Sequence, residues 1–231
     1  MMIPTPSNAE KNIPLYIPFD LLSGNTFYDR SGNGHDGTRS HTTFADLTSV
    51  VGKIGMAAYF PDYRLVTVPY NSAFSFTDGE SDLPFSVALW VYINSSRTST
   101  HWIGNSEWSL HSASTRRNQL FLFDSDENYI GRRINTQVPT GQWFHLLATY
   151  DGSKSVDGIK LYLNGERADD RSFTSGDYAG MSDGENDLII GAYTPIAYSV
   201  ASTLDEVLLF NWELSGNDAE RVSLGLPPLE I

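Results

Sequence analysis

The most constraining feature of this sequence is a series of short apolar segments whose residues alternate between two faces. In the segment from Phe85 to Ile93, apolar residues occupy every second position, and Ala88 and Trp90 add apolar groups to the opposite face. A period of two is the spacing of a β-strand, and apolar residues on both faces indicate a strand that is covered on both sides. The predicted strands are 15–19, 55–60, 64–69, 85–93, 107–111, 119–123, 129–134, 143–150, 159–163, 188–193 and 203–210.

Turn-forming residues separate these segments, and one helix follows them. Asn164-Gly165 favours a type I′ hairpin, because both residue types accept a positive φ. Ser215 and Asp218 form a capping pattern that predicts a helix of about two turns before Gly225. The pattern indicates an all-β antiparallel sandwich with a short C-terminal helix. We expect one domain over residues 13–225, an N-terminal arm over residues 1–12 and a C-terminal tail over residues 226–231.

Composition narrows the classes of partner. The chain has 15 Lys and Arg against 28 Asp and Glu, a net charge of -13, which argues against nucleic-acid phosphates and anionic membranes as partners. The sequence has no Cys, so disulfides, thiol catalysis and Cys-ligated zinc are excluded. Apolar runs are too short to insert in a membrane, and the N-terminus lacks the pattern of a signal peptide. We expect an extracellular or virion-surface location.

Motifs of catalysis and cofactor binding are incomplete. Residues 32–37 match G-x-G-x-x-G, but no strand leads into them and no helix follows, so the pattern predicts a turn. The acidic segment 124–128 resembles half of an EF-hand loop without its helices, which favours a polar hairpin tip. Glu80 and Asp82 lack the third acidic residue of a glucanase pattern and are predicted to lie in a solvated loop. The sequence therefore favours binding over catalysis.

Several segments in a fixed order resemble the laminin G-like family of concanavalin A-type jelly rolls. They include Leu15 to Asp20, the Gly/Asn loop from Asp29 to Gly37, Trp143 to Gly152 and Leu204 to Ser215. The resemblance implies two curved antiparallel sheets and a structural calcium site. The matching metal ligands are Asp20, Asn33, His35 and Asp205. Alternatively, Asp29 and Asp205 cap turns or pair with arginines.

The resemblance also implies recognition of glycans or proteins, and we expect glycan ligands on cell surfaces or polysaccharides. Aromatic rings stack on sugars, and arginines and amides bind their hydroxyl or acidic groups. In the alternative, the tryptophans lie in the core and the arginines neutralise nearby carboxylates. The candidate ligand-binding residues are Trp102, Trp108, Arg116, Tyr129, Arg132 and Tyr193, with Arg117, Arg133 and Tyr198 nearby.

Two other functions are compatible with the same sequence. A component of a virus or phage particle, such as a capsid, tail or fibre protein, needs no secretion signal, and the proline-containing ends would dock on capsid or fibre neighbours or on copies of the chain in a homo-oligomer. A glycoside hydrolase or lyase with an unfamiliar site is the third alternative. Binding of glycans, arm-dependent assembly and release of reducing ends would distinguish the three.

Overall fold

A computed structural model describes residues 10–20, 22–39, 46–94, 99–113, 115–192 and 201–229. Within these residues, the strands form two antiparallel sheets whose inner faces enclose one apolar core. One α-helix follows the last strand. The predicted all-β sandwich with a short C-terminal helix is therefore confirmed.

The strands and helices have the following bounds. The strands are β1 (Leu15–Ile17), β2 (Leu22–Ser23), β3 (Thr26–Phe27), β4 (Gly37–Arg39), β5 (Thr48–Val51), β6 (Met56–Phe60), β7 (Val66–Val68), β8 (Phe85–Ile93), β9 (Thr100–Gly104), β10 (Trp108–Ala113), β11 (Arg117–Phe123), β12 (Tyr129–Ile134), β13 (Trp143–Tyr150), β14 (Ile159–Leu163), β15 (Glu166–Arg167), β16 (Asp169–Ser175), β17 (Leu188–Ile190) and β18 (Ser202–Phe210). The helix is α1 (Gly216–Ser223), and single 3-10 turns cover Ser72–Phe74 and Val156–Gly158.

The first sheet orders its strands β15-β14-β13-β8-β18-β6-β5, and β1 also pairs with β18. Both faces of its central strand β8 are buried, as the apolar residues on both faces predict. Val87 and Leu89 point into the main core, whereas Ala88 packs in a second cluster with Val222 of α1. Full burial of a Val or Leu side chain contributes roughly 1.5–3 kcal/mol, so this strand anchors both layers.

The second sheet orders its strands β16-β12-β11-β10-β9-β17-β7-β4-β3-β2. The side chains of Leu110, Leu120 and Leu122 face the core and are fully buried. Because successive side chains of a strand point to opposite faces, the residues between them form the outer face of this sheet. That face carries the candidate functional site.

Most predicted strands are confirmed with shifted ends, and 85–93, 129–134, 143–150 and 159–163 agree with the observed bounds. Asn164 and Gly165 have φ of 53° and 86°, as the predicted I′ hairpin requires. Ser215 and Asp218 form the predicted capping box of α1. The sequence pattern does not predict β4, β5, β9 and β16.

The ends of the described chain pack on the sandwich. The backbone N–H of Asn12 donates to Asn211 Oδ1 at 2.8 Å, so the last part of the predicted arm lies against the end of β18. The N–H of Leu229 donates to Asp218 Oδ1 at 2.7 Å, which holds the tail on α1. Residues 1–9 lie outside the described residues. Docking on particle neighbours and homo-oligomer formation stay predictions.

Candidate functional site

Two rows of side chains cross the outer face of the second sheet. Residues directly opposite each other in antiparallel strands share a face, so the register of β10, β11, β12 and β16 defines the rows. The rows lie two residues apart along each strand. The polar row consists of His111, Gln119, Arg133 and Arg171, and the aromatic row consists of Ser109, Phe121, Gly131 and Phe173.

An aromatic platform surrounds Phe121. Its ring centroid lies 5.7 Å from that of Phe173 and 5.0 Å from that of Tyr129. Phe123 joins the platform at 6.2 Å from Phe121. A Cβ at Gly131 would lie 2.4 Å from Phe121 Cδ1, so the glycine leaves the space in which this ring lies. All four rings are half-buried and offer an apolar surface to a ligand.

Arginines flank one end of the aromatic platform. The Cζ atoms of Arg133 and Arg171 lie 4.9 and 5.0 Å from the centre of the Phe173 ring. Arg117 and Arg133 both donate to Asn135, at 2.6 Å to its backbone oxygen and 3.3 Å to its Oδ1. Burial and repulsion from Arg171 and Arg117 lower the pKa of Arg133. We call Arg117, Arg133 and Arg171 the arginine group.

A cleft of about 870 Å³ borders the platform. Phe123 and Tyr129 belong to both, so the aromatic surface continues into the cleft. Most other groups that line it are hydroxyl, amide and imidazole groups, which suit hydrogen bonding to a polar ligand. The lining residues are Ser99, Thr100, His101, Asn105, Ser106, Ser109, His111, Ser112, Ala113, Gln119, Phe123, Asp124, Ser125, Glu127, Tyr129, Ser182 and Gly184.

A chain of hydrogen bonds orients the polar groups of the cleft. Gln119 Nε2 donates to His111 Nε2 at 2.6 Å, so His111 Nδ1 carries the proton and donates to Ser109 Oγ at 3.0 Å. Ser109 then donates to His101 Nδ1 at 3.2 Å, and His101 Nε2 donates to the Ile189 oxygen at 3.2 Å. The direction of each hydrogen bond in this series is fixed, so the groups offer a ligand a fixed arrangement of donors and acceptors.

The two histidines that take part in these hydrogen bonds, His101 and His111, are neutral at pH 7. Burial and repulsion from His111 lower the pKa of His101 to about 3. Burial lowers the pKa of His111 to about 4. The imidazoles therefore contribute hydrogen bonds and apolar surface to the cleft without charge, and the positive charge of this face comes from the arginine group.

The predicted hairpin tip at 124–128 is confirmed and forms one rim of the cleft. Asp124 Oδ1 accepts the N–H groups of Asp126 and Asn128 at 2.9 and 2.8 Å. Its Oδ2 accepts from Asn128 Nδ2 and from the Ala179 N–H at 3.1 and 3.2 Å. Burial opposes ionisation, but these hydrogen bonds hold the pKa of Asp124 below its ordinary value. Asp124 therefore closes the β11–β12 hairpin.

A laminin G-type family model, described as the concanavalin A-like lectin/glucanases superfamily, matches residues 67–219. The chain belongs to this superfamily. The matched residues include every strand of the aromatic platform and of the cleft. Membership confirms the jelly-roll form of the sandwich that the sequence resemblance implies. A search of curated proteins finds no match to the chain.

Solved structures of low sequence identity share this lectin-like fold. Domain 4 of AbnA, a GH43 extracellular arabinanase from Geobacillus stearothermophilus in complex with arabinotriose, is 21% identical with a TM-score of 0.64, over 93% of this chain and 99% of that one. The binding domain of Paraclostridial Mosquitocidal Protein 1 is 14% identical with a TM-score of 0.67, and that of botulinum neurotoxin serotype G is 17% identical with a TM-score of 0.66. Each toxin match covers 92% of this chain, which spans 52% and 51% of the two toxin domains.

In the part of the chain that the structure describes, no helix has the length and apolar character needed to cross a membrane.

The two predicted tryptophans lie in the core of this lectin-like fold, which corrects their assignment to a ligand surface. The side chains of Trp102 and Trp108 are 0% exposed. Trp102 Nε1 donates to Asn118 Oδ1 at 2.8 Å, and Trp108 Nε1 donates to the Phe74 oxygen at 3.1 Å. Because both indoles are enclosed and their N–H groups are satisfied, neither presents a face to a sugar.

The other predicted ligand residues do not all lie on the outer face of the second sheet. Tyr129 lies in the aromatic platform, and its role in ligand binding stays a prediction. Arg132 faces away from it and pairs with Asp169 at 2.7 Å and Asp157 at 3.4 Å, so its assignment to the ligand surface is corrected. Arg116 lies in the β10–β11 turn, where its Nη2 donates to Gln137 Oε1 at 3.4 Å. Tyr193 and Tyr198 fall outside the described residues.

Two predicted metal ligands instead hold the β5–β6 turn. Asp205 Oδ2 accepts the N–H groups of Lys53 and Ile54 at 2.8 and 3.0 Å, and Asp20 Oδ1 accepts the Met56 N–H at 2.8 Å. Burial raises the pKa of Asp205 to about 7. Asp205 Oδ1 is buried without a hydrogen-bond partner among the described residues. These contacts match the alternative in which Asp205 caps a turn.

The other two predicted ligands lie in the Gly/Asn loop, where Asp29 accepts the hydrogen bonds. Asp29 Oδ2 accepts the His35 N–H at 3.0 Å, and its Oδ1 accepts the N–H groups of Tyr16 and Ser31 at 3.0 and 2.9 Å. The His35 ring donates through Nδ1 to the Pro14 oxygen at 2.8 Å. Asn33 Nδ2 donates to the Ile13 oxygen at 2.9 Å, so both side chains are held against the segment that precedes β1.

The predicted calcium ligands therefore do not fit one ion as a set of four. Within the described ranges, no three His, Asp or Glu side chains are placed to hold a metal ion. Calcium binding stays a prediction of the family resemblance. If an ion stabilises the fold, the melting temperature should be several degrees higher with added calcium than with EDTA, because a ligand of the native state raises stability. Equal melting temperatures would contradict calcium binding.

Sequence reasoning missed the residues that complete the platform. Phe173 and Arg171 lie in β16, whose sequence DDRSFTS lacks the apolar alternation of a buried strand. Phe121 and Gln119 lie in a predicted strand, but the sequence does not say which face is buried. The alternation of Gln119, Phe121 and Phe123 against Leu120 and Leu122 is the one available signal, because aromatic residues opposite a leucine face suggest a second contact surface.

Proposed function

We propose that this protein is a non-catalytic recognition module that binds carbohydrate on the outer face of its second sheet. The observation that carries the proposal is the aromatic platform beside a cleft of about 870 Å³ lined by hydroxyl, amide and imidazole groups. Sugar rings have apolar C–H faces that stack on aromatic rings and hydroxyls that need hydrogen-bond partners. The platform offers the first kind of contact and the hydrogen-bonded cleft the second.

Membership of a lectin and glucanase superfamily supports the same proposal. One solved structure of this fold is a domain of an extracellular arabinanase in complex with arabinotriose, and others are binding domains of toxins. We infer that the ligand is a glycan of a polysaccharide or of a cell surface, and that the protein meets it outside the cell.

The surroundings of two carboxylates near the cleft, Asp124 and Glu107, favour binding over hydrolysis. Glycoside hydrolysis commonly uses two carboxyl groups that flank the scissile bond, one of them as an acid. Asp124 accepts four hydrogen bonds within its own hairpin and its neighbouring loop, and its lowered pKa keeps it ionised. Burial raises the pKa of Glu107 to about 7, but its side chain is 0% exposed and does not line the cleft.

Replacement of a platform ring tests the proposal. We expect Phe173→Ala and Tyr129→Ala each to weaken binding to the best ligand of a glycan array by about tenfold, since each removes roughly 1.4 kcal/mol of stacking. Isothermal titration calorimetry measures the dissociation constants. Tyr92→Ala is a matched control, because Tyr92 is a half-buried aromatic residue on the outer face of the other sheet, 5.6 Å from Trp143.

The control should leave the dissociation constant unchanged. Binding that is lost in Tyr92→Ala and retained in the platform variants would move the site to the first sheet. Release of reducing ends from any bound polysaccharide would show catalysis instead. An array without any bound glycan would contradict carbohydrate recognition.

A further inference from the structure

Resting on the proposed function, we infer that the glycan bound at this face is anionic. The geometry points to Arg133 and Arg171 as the residues that bind its carboxylate or sulfate groups, beside the ring of Phe173. The ligand then carries a negative charge, and the end of the aromatic platform beside Arg133 and Arg171 selects for it.

The charge distribution of the protein is the first support. The chain has a net charge of -13, yet three arginines are gathered on one face of three neighbouring strands, β11, β12 and β16. Arg171 and Arg117 are close enough to lower the pKa of Arg133 by repulsion. Like charges held together destabilise a fold, and an anion bound between them removes that repulsion. Anions are also attracted to this local positive site rather than to the rest of the acidic surface.

Missing ion pairs are the second support. Among the residues that the structure describes, none of the arginine group forms a salt bridge, and Arg133 Nε is buried without a hydrogen-bond partner. The negative charge of Asp170 acts to raise the pKa of Arg133. The Asp170 Oδ1 atom, however, accepts the Asn135 N–H at 2.9 Å. The Nε of Arg132 is buried without a partner as well, so the feature that distinguishes the arginine group is its missing ion pairs. An anionic ligand would compensate the positive charge of this group.

The neighbouring arginine shows the structural alternative. Arg132 lies next to Arg133 in β12, and the alternation of the strand turns it to the opposite face. There it pairs with Asp169 at 2.7 Å, and the Asp169 side chain is 0% exposed. Arg132 is therefore held by carboxylate partners of its own. Arg133 and Arg171 instead lie over an aromatic ring, which holds a guanidinium in place and leaves its N–H groups available.

The two ends of the site differ in charge, which orients the ligand. Asp124 and Glu127 line the cleft near the β11–β12 hairpin tip. Arg117 and Arg133 lie at the opposite end of the same two strands, and Arg171 is opposite Arg133 in β16. Phe121 and Phe173 lie between these ends, so sugar rings stack there while the acidic substituent contacts Arg133 and Arg171. An anionic group at the hairpin tip would be repelled by the two carboxylates.

Binding of anionic and neutral polysaccharides tests the inference, with dextran sulfate and dextran as the pair that shares one backbone. The probes are dextran sulfate, polygalacturonate as the carboxylated polymer, and unmodified dextran, measured by affinity electrophoresis and calorimetry at 50 and 500 mM NaCl, the higher salt being the condition in which screening is strong. We expect the protein to bind at least one anionic probe, at least tenfold more weakly at the higher salt. Binding of dextran sulfate but not of dextran identifies sulfate as the recognised group, and binding of polygalacturonate that the arginine variants lose identifies carboxylate.

The variants are Arg171→Gln, at an exposed position, and the double variant Arg133→Gln/Arg171→Gln. Each arginine replaced should weaken binding of the anionic probe by about tenfold, while the melting temperature reports whether the variant folds. Arg30→Gln is the control, because Arg30 is exposed in the β3–β4 loop and its loss changes net charge equally. Anionic binding that survives in folded double variants overturns the inference.

The outcomes separate this inference from the proposed function. If the protein binds only neutral glycans on the array and the platform variants lose this binding, carbohydrate recognition is supported and the anionic ligand is overturned. An array and probes without any binding overturn both. Equal losses in Arg30→Gln and Arg171→Gln show attraction by net charge alone and also overturn the assigned arginines.

Discussion

Replacing Trp102 with alanine should lower the free energy of unfolding by about 3–5 kcal/mol and leave ligand binding by the folded protein unchanged. The indole is 0% exposed and fills the space between the two sheets. Its loss creates a cavity and removes the donor to Asn118 Oδ1, which accepts Trp102 Nε1 at 2.8 Å. Urea unfolding followed by circular dichroism measures the change without depending on tryptophan fluorescence.

Trp143→Ala is the control for this prediction. Trp143 is half-buried at the start of β13 and packs edge-on against Tyr92 at 5.6 Å. Its loss should cost clearly less, because part of the ring already contacts water. A Trp102→Ala protein of unchanged stability that no longer binds glycan would place this indole at the ligand and reverse the correction made to its assignment.

Replacing Asp82 with alanine should lower the free energy of unfolding by about 3–5 kcal/mol. Asp82 is buried and accepts the hydroxyls of Tyr150 and Tyr178 at 2.7 and 2.8 Å and the Met181 N–H at 2.7 Å. Burial and the neighbouring Asp82 carboxylate raise the pKa of both tyrosines, so their hydroxyls stay protonated and donate. The alanine leaves three donors in the interior without an acceptor.

Variants around Asp82 should form a graded series in urea unfolding. Asp82→Asn keeps one carbonyl oxygen and should fall between the native protein and Asp82→Ala. Tyr150→Phe should cost more than Tyr178→Phe, because the Tyr150 hydroxyl also accepts the Lys154 N–H at 2.6 Å. Glu80→Ala changes an exposed carboxylate two residues away and should have little effect. Equal stability of Asp82→Ala and Glu80→Ala would show that Asp82 is solvated.

Asp82 also shows where local reasoning about charge fails. A carboxylate two residues from Glu80 and just before Leu83-Pro84 is typical of a surface loop, and the sequence predicts solvent around both side chains. The structure confirms exposure for Glu80 and corrects Asp82, which lies 5% exposed beneath Tyr178 and Met181. Its partners lie 68 to 99 residues away in the sequence, so no local pattern indicates them.

The strands that sequence reasoning found are those whose side chains are apolar on at least one face. Phe85–Ile93 and Trp143–Tyr150 are predicted because burial requires the alternation that the sequence shows. Asp169–Ser175 is missed because it is an edge strand with mostly polar side chains, and its conformation depends on pairing with β12. Thr100–Gly104 is missed as well, because Gly104 and the short polar stretch before Trp102 interrupt the pattern.

The site could be predicted only in part for the same reason. Aromatic residues and arginines on the β11–β12 hairpin are visible in the sequence, and the candidate Tyr129 lies in the aromatic platform. Arg132 and Arg133 look alike, and only the register decides that Arg132 meets Asp169 while Arg133 joins Arg171. Trp102 looks like a binding residue because tryptophan is common in glycan sites, but its strand places it in the core.

The sequence by itself determined the all-β class, the central strands, the I′ turn at Asn164-Gly165 and the capped C-terminal helix. These features follow from interactions between residues close in the chain, namely alternating burial, positive φ and helix capping. Only the tertiary structure decided which of two adjacent arginines joins the aromatic platform, that Trp102 and Trp108 are buried, and that Phe121 and Phe173 form one platform. Those outcomes depend on the register of strands distant in sequence, because a shift of one residue exchanges the two faces of a sheet.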